Sequence, residues 1–504
     1  MTADIVDVCV VGSGASGSTV AYEVAQHGLR VLLLEEGRPL PPDASLASVQ
    51  DGMDTALVRS PAGTLTSFGR PWTVCALGGG MTLYAGIAFR YRTIDFDARA
   101  HVAGDALDPT WPINYAELRP FYEELERRMG VARLAGADPF EPPSDPPVLP
   151  PHDYSAKGRL IADAGGRLGQ RPFPTPLAIN SVPYRGRPAC DCDGPCNEHP
   201  CPTGARANAR SPFTDVALPP GALTVAVGSK AVRIDLANVS RAGSVEWLDT
   251  VSRQRARVRT RCVVLAGNAV QSAALLLRSA QRAAPNGIGN ASGMVGRGIS
   301  FKISGYVSGS TAIDPMSAHP GGGPFSTVAI SDHYLDEEAP SGLGGMIYEA
   351  SRVERTDHDG RITLRLHFLA ADQPMRNNAV RLATSLDRLG LPKIILDYWT
   401  HPLDKRRLGY LCRRASNLLA EVGVKQVDFE DSNYQLGSGH LHGGCRAGVD
   451  PTQSVVDRWG RVHDIDNLYV ADGGFFPYSG GVNPTFTIQA NALRIARRIV
   501  TQLT

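Results

Sequence analysis

Two segments near the C-terminus contain residue types that suit the oxidation of an alcohol. His440 and His442 lie in a glycine-rich stretch, residues 439–445, and Asn483 follows about 40 positions later. A neutral imidazole can take the proton of a hydroxyl group near neutral pH. An amide N–H can then stabilise the oxygen from which the proton leaves. Such a pair is useful only beside a group that accepts hydride, so the chain must also bind one.

The N-terminus predicts a nucleotide-binding βαβ unit. Residues 5–11 predict a buried strand, residues 18–28 a helix, and residues 31–34 a second strand that ends at Glu35. This acidic residue lies about 20 positions beyond the glycine-rich turn, where a ribose hydroxyl needs an acceptor. A glutamate in this position favours an unphosphorylated ribose, as in FAD or NAD.

The turn of this unit has the pattern G-x-G-x-x-G. Gly12 permits the turn, Gly14 lets the backbone approach the pyrophosphate, and Gly17 lets the helix pack close to the strand. The positive end of the helix then faces the phosphates.

The composition is ordinary for a globular protein. Of the 504 residues 43% are hydrophobic, and the formal net charge is +1, so we expect neither nucleic acid nor an anionic membrane as a partner. No apolar run approaches the roughly 20 residues that span a bilayer. The first predicted strand begins too close to Met1 to leave room for a secretory signal, so we expect a cytoplasmic enzyme.

Further α/β signals occur in the middle and at the end of the chain. Residues 262–268 predict a strand that a helix follows at 271–279, and residues 467–473 predict a strand that a helix follows at 485–503. Between these regions the alternating pattern of residues 362–368 predicts an antiparallel sheet with one face against a core.

In this order the motifs resemble the glucose–methanol–choline (GMC) oxidoreductases, flavoenzymes that oxidise alcohols. Besides the N-terminal turn, the resemblance rests on residues 77–90, on residues 294–297 and on the closing run from His440 to Thr485. Residues 111–113 and 187–205 are similar to bacterial gluconate, glucose and fructose dehydrogenase subunits.

The resemblance implies an α/β fold with two interleaved domains. A Rossmann-like FAD-binding domain would comprise residues 1–100, 205–300 and 436–504. A substrate-binding domain, built on an antiparallel sheet with helices, would comprise residues 101–204 and 301–435, with a cysteine-rich loop at 190–201.

The resemblance also implies which residues bind FAD. Gly79 and Gly80 would lie along the flavin, Val232 would present its backbone to the adenine, and Asp472 and Gly473 would lie by the pyrophosphate and ribityl chain. The other residues expected at the cofactor are Ser16, Gly267, Pro484 and Thr485. Some relatives tether the flavin to a histidine where this chain has Leu83, so we expect non-covalent FAD.

Alignment of Gly444 and Cys445 with the family's Gly-Thr-Cys motif makes His440 the catalytic base. Asn483 would be its partner at the substrate oxygen, and His442 a supporting or flavin-contacting residue. We interpret the lone His367 and His401 as structural.

Four cysteines, Cys190, Cys192, Cys196 and Cys201, occur within 12 residues together with His199. Three interpretations are open: an iron–sulfur cluster, as in the resembling dehydrogenase subunits; a structural zinc site; or free thiols or disulfides that hold an irregular loop. Their spacing departs from the pattern in those relatives.

We therefore predict an FAD-dependent oxidoreductase that converts a hydroxyl of a sugar, polyol or glycoside to a carbonyl, with hydride transfer to flavin N5. An aminoglycoside or other secondary-metabolite sugar is an alternative substrate, and the electron acceptor is oxygen or a redox partner. A flavin-containing lyase and an electron-transfer subunit of a dehydrogenase complex are alternatives of other classes.

Overall fold

Three β-sheets organise the described residues of the computed structural model, which are 5–51, 56–60, 62–68, 74–192, 194–214, 216–312, 324–350, 361–431 and 439–504. The strands are β1 Ile5–Val11, β2 Val31–Glu35, β3 Ala56–Arg59, β4 Leu65–Phe68, β5 Phe173–Pro174, β6 Leu223–Val227, β7 Ser229–Asn238, β8 Arg241–Asp249, β9 Arg255–Leu265, β10 Ile303–Ala312, β11 Val328–Ile330, β12 Met346–Glu349, β13 Arg361–Ala370, β14 Ala379–Leu386, β15 Pro392–Asp397, β16 Asp428–Asp431 and β17 Leu468–Val470. The α-helices are α1 Ala15–Gln26, α2 Leu46–Asp51, α3 Tyr115–Met129, α4 Ala156–Arg167, α5 Ala269–Arg278, α6 Pro402–Val422 and α7 Thr485–Leu503.

The seven-stranded sheet contains the predicted nucleotide-binding unit. Strands β6, β2, β1, β9 and β17 run parallel, and β8 and β7 extend the sheet in antiparallel fashion from β9. The core of β1 is fully buried because a parallel sheet is covered on both faces, here on one side by α1, against which α7 packs. The predicted Rossmann-like α/β class is thus confirmed, and its elements come from the start, middle and end of the chain.

The six-stranded sheet is antiparallel, in the order β16-β10-β13-β12-β11-β5. One face buries Val307, Leu366 and Phe368 in an apolar cluster with Leu411 and Leu418 of α6. Since successive side chains of a strand point to opposite faces, the neighbouring residues of β10 and β13 lie on the other face. That face contributes to the site described below.

A third sheet, β14-β15-β3-β4, pairs β15 in parallel with β3. It therefore joins β3 and β4 to β14 and β15, which the family resemblance assigned to different domains. The domain boundaries remain a prediction. None of the helices in the described ranges combines the length and the apolar character needed to cross a membrane.

Candidate active site

A cavity of about 620 Å³ lies at the carboxyl ends of β1, β2 and β9. Its volume falls within the range of about 300–1,000 Å³ that is typical of small-molecule sites, and its place is where open α/β sheets bind nucleotides. Twelve of the predicted site residues line it: Gly12, Gly14, Ser16, Glu35, Gly79, Gly80, Gly267, His440, Asp472, Gly473, Pro484 and Thr485.

Glycines bring backbone from three parts of the chain together at this cavity. Gly12 adopts φ +98°, and a Cβ there would lie 2.5 Å from the carbonyl oxygen of Ala266. A Cβ on Gly17 would overlap the carbonyl oxygen of Gly12, so α1 can pack close to β1 only with glycine at this position. Gly79 adopts φ +54°, and its Cβ would lie 2.8 Å from the Cα of Gly14. The result is a smooth backbone cradle with room for a dinucleotide.

Glu35 is buried at the end of β2, where the sequence placed a ribose acceptor. Its carboxylate accepts hydrogen bonds from Ser13 N (2.9 Å), Ser13 Oγ (2.7 Å) and Gly37 N (2.7 Å). Burial nevertheless raises the pKa of this carboxyl above its usual value. The neighbouring Glu36 also lines the cavity and pairs with Lys230 at 2.6 Å.

Asp472 follows β17 and is held in a fixed orientation. Its carboxylate accepts hydrogen bonds from Ser272 Oγ (2.6 Å) and Gly474 N (2.8 Å). Burial raises its pKa to about 6. Val232, in contrast, does not line the cavity, because its side chain packs with Leu248, Leu389 and Leu391, while its neighbours Lys230 and Ala231 do line it. The contact between the Val232 backbone and adenine stays a prediction.

The two residues of the predicted catalytic pair meet at the end of this cavity. Asn483 Nδ2 lies 3.4 Å from His440 Nε2 and donates a hydrogen bond of 3.3 Å to Tyr348 OH. His440 lines the cavity, and Asn483 directly precedes Pro484 at the start of α7. A hydroxyl group placed beside both the imidazole and the amide would meet a base and a hydrogen-bond donor.

His442 lies behind this pair and does not line the cavity. Its side chain is fully buried, with Nε2 3.4 Å from Tyr91 OH and the ring against Phe476. Tyr91 OH donates in turn to the carbonyl oxygen of Ser479, which also accepts a hydrogen bond from Lys302 Nζ. This position fits the predicted supporting role and not that of a base in contact with substrate.

The surroundings keep both histidines neutral. Desolvation, with a contribution from the Lys302 ammonium, lowers the pKa of His440 and of His442 well below 6.5. A neutral imidazole at position 440 is the form that can take a proton.

Three residues of the site were missed in the sequence. Lys302 is fully buried, and Tyr348 and Tyr91 contact the catalytic residues through their hydroxyl groups. None belongs to a motif, and only the tertiary fold brings them to the histidines. His401 has the structural role that was expected of it, because it accepts a hydrogen bond from Leu403 N and caps α6.

The predicted metal ligands are not arranged for a metal. Cys190, Cys192, Cys196 and Cys201 are all free thiols. No set of three or more cysteine, histidine or acidic side chains is placed to hold a metal ion within the described ranges. Cys192 is exposed, with a left-handed backbone (φ +58°), while the other three cysteines pack against the main core. The iron–sulfur and zinc predictions therefore gain no support from the structure.

The loop is instead held by main-chain contacts. Arg206 donates hydrogen bonds to the carbonyl oxygens of Cys196, His199 (2.6 Å) and Thr82 (2.8 Å). Glu198 N donates to the carbonyl oxygen of Leu83 at 2.8 Å. These hydrogen bonds connect the cysteine loop to the Gly79–Thr82 turn, which lines the cavity, and so stabilise the turn.

Comparison with known proteins finds relatives along the whole chain. Models of the GMC oxidoreductase family match residues 177–301 and 374–492, and a model of FAD dependent oxidoreductases matches residues 7–52. Two relatives are 45% identical to this chain: 6'''-hydroxyparomomycin C oxidase of Streptomyces lividus, with 100% of this chain and 93% of the relative aligned, and paromamine 6'-oxidase of Streptomyces fradiae, with 99% and 92% aligned.

The chain belongs to the GMC oxidoreductase family. The fructose dehydrogenase large subunit of Gluconobacter japonicus is a more distant relative, 27% identical over 99% of this chain and 98% of its own length. Among solved structures, pyridoxine 4-oxidase from Mesorbium loti has the same fold, with a TM-score of 0.66, 21% identity, and 98% and 99% of the two chains covered. The protein is thus an FAD-dependent alcohol oxidoreductase, and the glycine cradle and cavity fit that cofactor.

Proposed function

We propose that this GMC oxidoreductase oxidises a hydroxyl group of an aminoglycoside, or of a closely related amino-sugar glycoside, to the carbonyl. The observation that carries the chemistry is the approach of Asn483 Nδ2 to His440 Nε2 at the end of the cofactor cavity. The choice of substrate is supported by two relatives with 45% identity over almost the whole chain, both named as oxidases of aminoglycosides.

The residues of the chain divide the work as follows. The unprotonated Nε2 of His440 takes the hydroxyl proton of the substrate, while the Asn483 amide donates a hydrogen bond to the same oxygen and stabilises its negative character. Asp472, Glu35 and the backbone of Gly12, Gly14 and Gly79 line the cavity and would hold the cofactor. Bound FAD would supply the acceptor, its N5 atom, for the hydride of the carbinol carbon.

We further propose that FAD is bound non-covalently and that oxygen reoxidises it. Leu83 occupies the position of the tethering histidine and cannot form the covalent bond. The two relatives with 45% identity are named as oxidases, which favours oxygen over a protein acceptor. The cytoplasm is the proposed location.

An anaerobic screen tests the substrate proposal. Paromamine, other aminoglycosides, neutral sugars and polyols are mixed with the oxidised enzyme, and the loss of flavin absorbance is followed. We expect aminoglycosides to bleach the flavin faster than neutral sugars. Preference for a neutral sugar or polyol would favour instead a dehydrogenase similar to the fructose dehydrogenase large subunit.

Two variants test the chemistry. His440→Ala and Asn483→Ala should each slow flavin reduction at least about 100-fold, the size typical of losing one group that stabilises developing charge. His463→Ala is a matched control, because His463 contacts Ser454 outside the cavity. If His440→Ala reduces its flavin as fast as the parent, the base assignment is wrong.

The same experiments test the alternative functions. If no alcohol bleaches the flavin, the lyase alternative gains weight. Subunits that co-purify with the chain would support an electron-transfer complex.

A further inference from the structure

Four side chains stand in register across the six-stranded sheet and lead to the catalytic amide. Glu430 of β16 pairs with Tyr306 of β10, Tyr306 with His367 of β13, and His367 with Tyr348 of β12. Because residues opposite one another in an antiparallel sheet share a face, these side chains form one continuous row. Its last member, Tyr348, contacts Asn483.

The imidazole of His367 is clamped within this row. The Tyr306 ring stacks on it at 4.4 Å with planes 17° apart, and the Tyr348 ring meets it edge-on at 5.0 Å. The Arg365 guanidinium lies over the Tyr306 ring, 3.6 Å from its centroid, and forms an ion pair with Glu430 at 2.7 Å. His367 is 5% exposed, and its Nδ1 lies 2.6 Å from Tyr348 OH. Its ring is therefore fixed with Nδ1 towards that hydroxyl.

The single hydrogen of the Tyr348 hydroxyl makes this contact directional. If His367 Nδ1 has a lone pair, it accepts that hydrogen, and Tyr348 can then only accept from Asn483. Asn483 must in that case turn its NH₂ group towards Tyr348 and His440. If His367 Nδ1 has the proton, Tyr348 accepts from it, and the hydrogen of this buried hydroxyl is left to be donated to Asn483. The amide then turns its carbonyl oxygen to both neighbours, and His440 Nε2 must bear a hydrogen.

The geometry agrees with the first arrangement. One amide nitrogen, Asn483 Nδ2, lies 3.3 Å from Tyr348 OH and 3.4 Å from His440 Nε2, so its two hydrogens have one acceptor each. Burial and the neighbouring Arg365 lower the pKa of His367 to about 3, so the ring has a single proton. This arrangement places the proton on Nε2, which is buried without a hydrogen-bond partner among the described residues, and so accepts the cost of one unpaired N–H group. Only this polarity leaves His440 Nε2 without a hydrogen of its own. A bound substrate hydroxyl would then donate to the Nε2 lone pair and accept the amide hydrogen that Asn483 otherwise directs to Nε2.

We propose that His367 is a positioning residue for the reaction: through Tyr348 it fixes the orientation of the Asn483 amide and so keeps Nε2 of His440 unprotonated. The catalytic consequence rests on the proposed function of His440 and Asn483. The hydrogen-bond polarity itself does not, and the two are tested separately.

The polarity is tested without substrate. Nitrogen NMR of the holoenzyme with isotope-labelled histidine distinguishes a nitrogen with a proton from one with a lone pair, and the signals missing in the His367→Asn variant identify residue 367. We expect His367 to be neutral with its proton on Nε2, and its Nδ1 signal to shift in Tyr348→Phe, which lacks the hydroxyl donor. A proton on Nδ1 would overturn the proposal.

The catalytic consequence is tested by two variants at residue 367. His367→Phe keeps a ring for the stack with Tyr306 but has no acceptor, whereas in His367→Asn the Oδ1 atom takes the place of Nδ1. We expect His367→Phe to slow flavin reduction at saturating substrate about 10- to 100-fold. The loss of a residue that only orients Asn483 should reduce the rate less than the loss of the Asn483 donor itself. The concentration of substrate that gives half the maximal rate should change little.

His367→Asn should recover most of the lost rate, with the FAD content of all variants unchanged. If His367→Asn is as slow as His367→Phe although it binds FAD and melts like the parent, residue 367 is merely structural and the proposal fails. If none of the alcohols tested reduces the flavin of the parent enzyme, the proposed function fails. The NMR experiment still decides the hydrogen-bond polarity in that case.

Discussion

The ammonium of Lys302 donates a hydrogen bond of 2.5 Å to the carbonyl oxygen of Gly480. This contact is buried, next to the hydrogen bond between Tyr91, the neighbour of His442, and Ser479. A fully buried lysine at this place also adopts a left-handed backbone, φ +62°, a conformation that costs free energy for any residue but glycine. The nearby carboxyl groups of Asp95 and Asp372 partly offset its desolvation. While Lys302 is protonated, the site thus holds a positive charge close to two histidines at a cost to stability.

Replacing this lysine should change how stability depends on pH. Burial lowers the pKa of Lys302 from 10.5 to about 7, so between these values the unfolded chain binds a proton that the folded chain lacks. Stability therefore rises with pH in this window. We expect the free energy of unfolding of the parent, relative to Lys302→Met, to increase between pH 7 and pH 10 by up to about 1.4 kcal/mol per pH unit. Denaturant titrations of both proteins at several pH values measure this, and a constant difference would contradict it.

The same charge should set the acid limit of catalysis. Desolvation and Lys302 lower the pKa of His440 well below 6.5, so the base stays unprotonated in mildly acidic buffer. We expect the rate of anaerobic flavin reduction to stay level as the pH falls through 6.5 and to drop only well below that value. In Lys302→Met the fall should begin at higher pH. An unchanged acid limb in this variant would show that Lys302 does not act on His440.

Local patterns were enough to predict the elements of the cofactor domain. The run of apolar residues in β1, the glycines after it and the acidic end of β2 follow one another in the chain, and the structure confirms the strands and helix that they predicted. The pairing of β3 with β15 could not be predicted, because it joins residues more than 300 positions apart and no local pattern specifies it.

The candidate site shows the same division. The sequence placed His440 and Asn483 through a motif, and the fold brings them together. Lys302 and Tyr348 were missed, and His367 was interpreted as structural, because their partners are distant in the chain. Lys302 contacts Ser479 and Gly480, Tyr348 contacts Asn483, and His367 contacts Tyr348. A single buried lysine or tyrosine in an apolar segment has no spacing to identify it.

Two neighbouring glycines should separate cofactor binding from folding. A Cβ on Gly79 would meet the Cα of Gly14 at 2.8 Å, whereas a Cβ on Gly80 would have no protein atom within 4 Å and would point into open space beside the cavity. We expect Gly79→Ala to lower both the melting temperature of the apoprotein and its affinity for FAD. Gly80→Ala should leave the apoprotein melting temperature unchanged and weaken only FAD binding. Calorimetry of the apoproteins and fluorescence titration with FAD measure the two effects. Normal FAD affinity in both variants would place the flavin elsewhere.

The cysteine loop should keep its structure without metal. Arg206 and Glu198 hold it through main-chain carbonyl oxygens and an N–H group, and the thiols of Cys190 and Cys201 contribute no bond to the cofactor turn in the described residues. We expect elemental analysis of the purified protein to find no stoichiometric iron or zinc, and a variant with all four cysteines changed to serine to keep its FAD. Arg206→Met, in contrast, should loosen the Gly79–Thr82 turn and lower FAD affinity about 5- to 50-fold, the effect of losing buried hydrogen bonds to a charged group. One equivalent of metal that disappears in Cys190→Ser would show that the thiols rearrange around an ion.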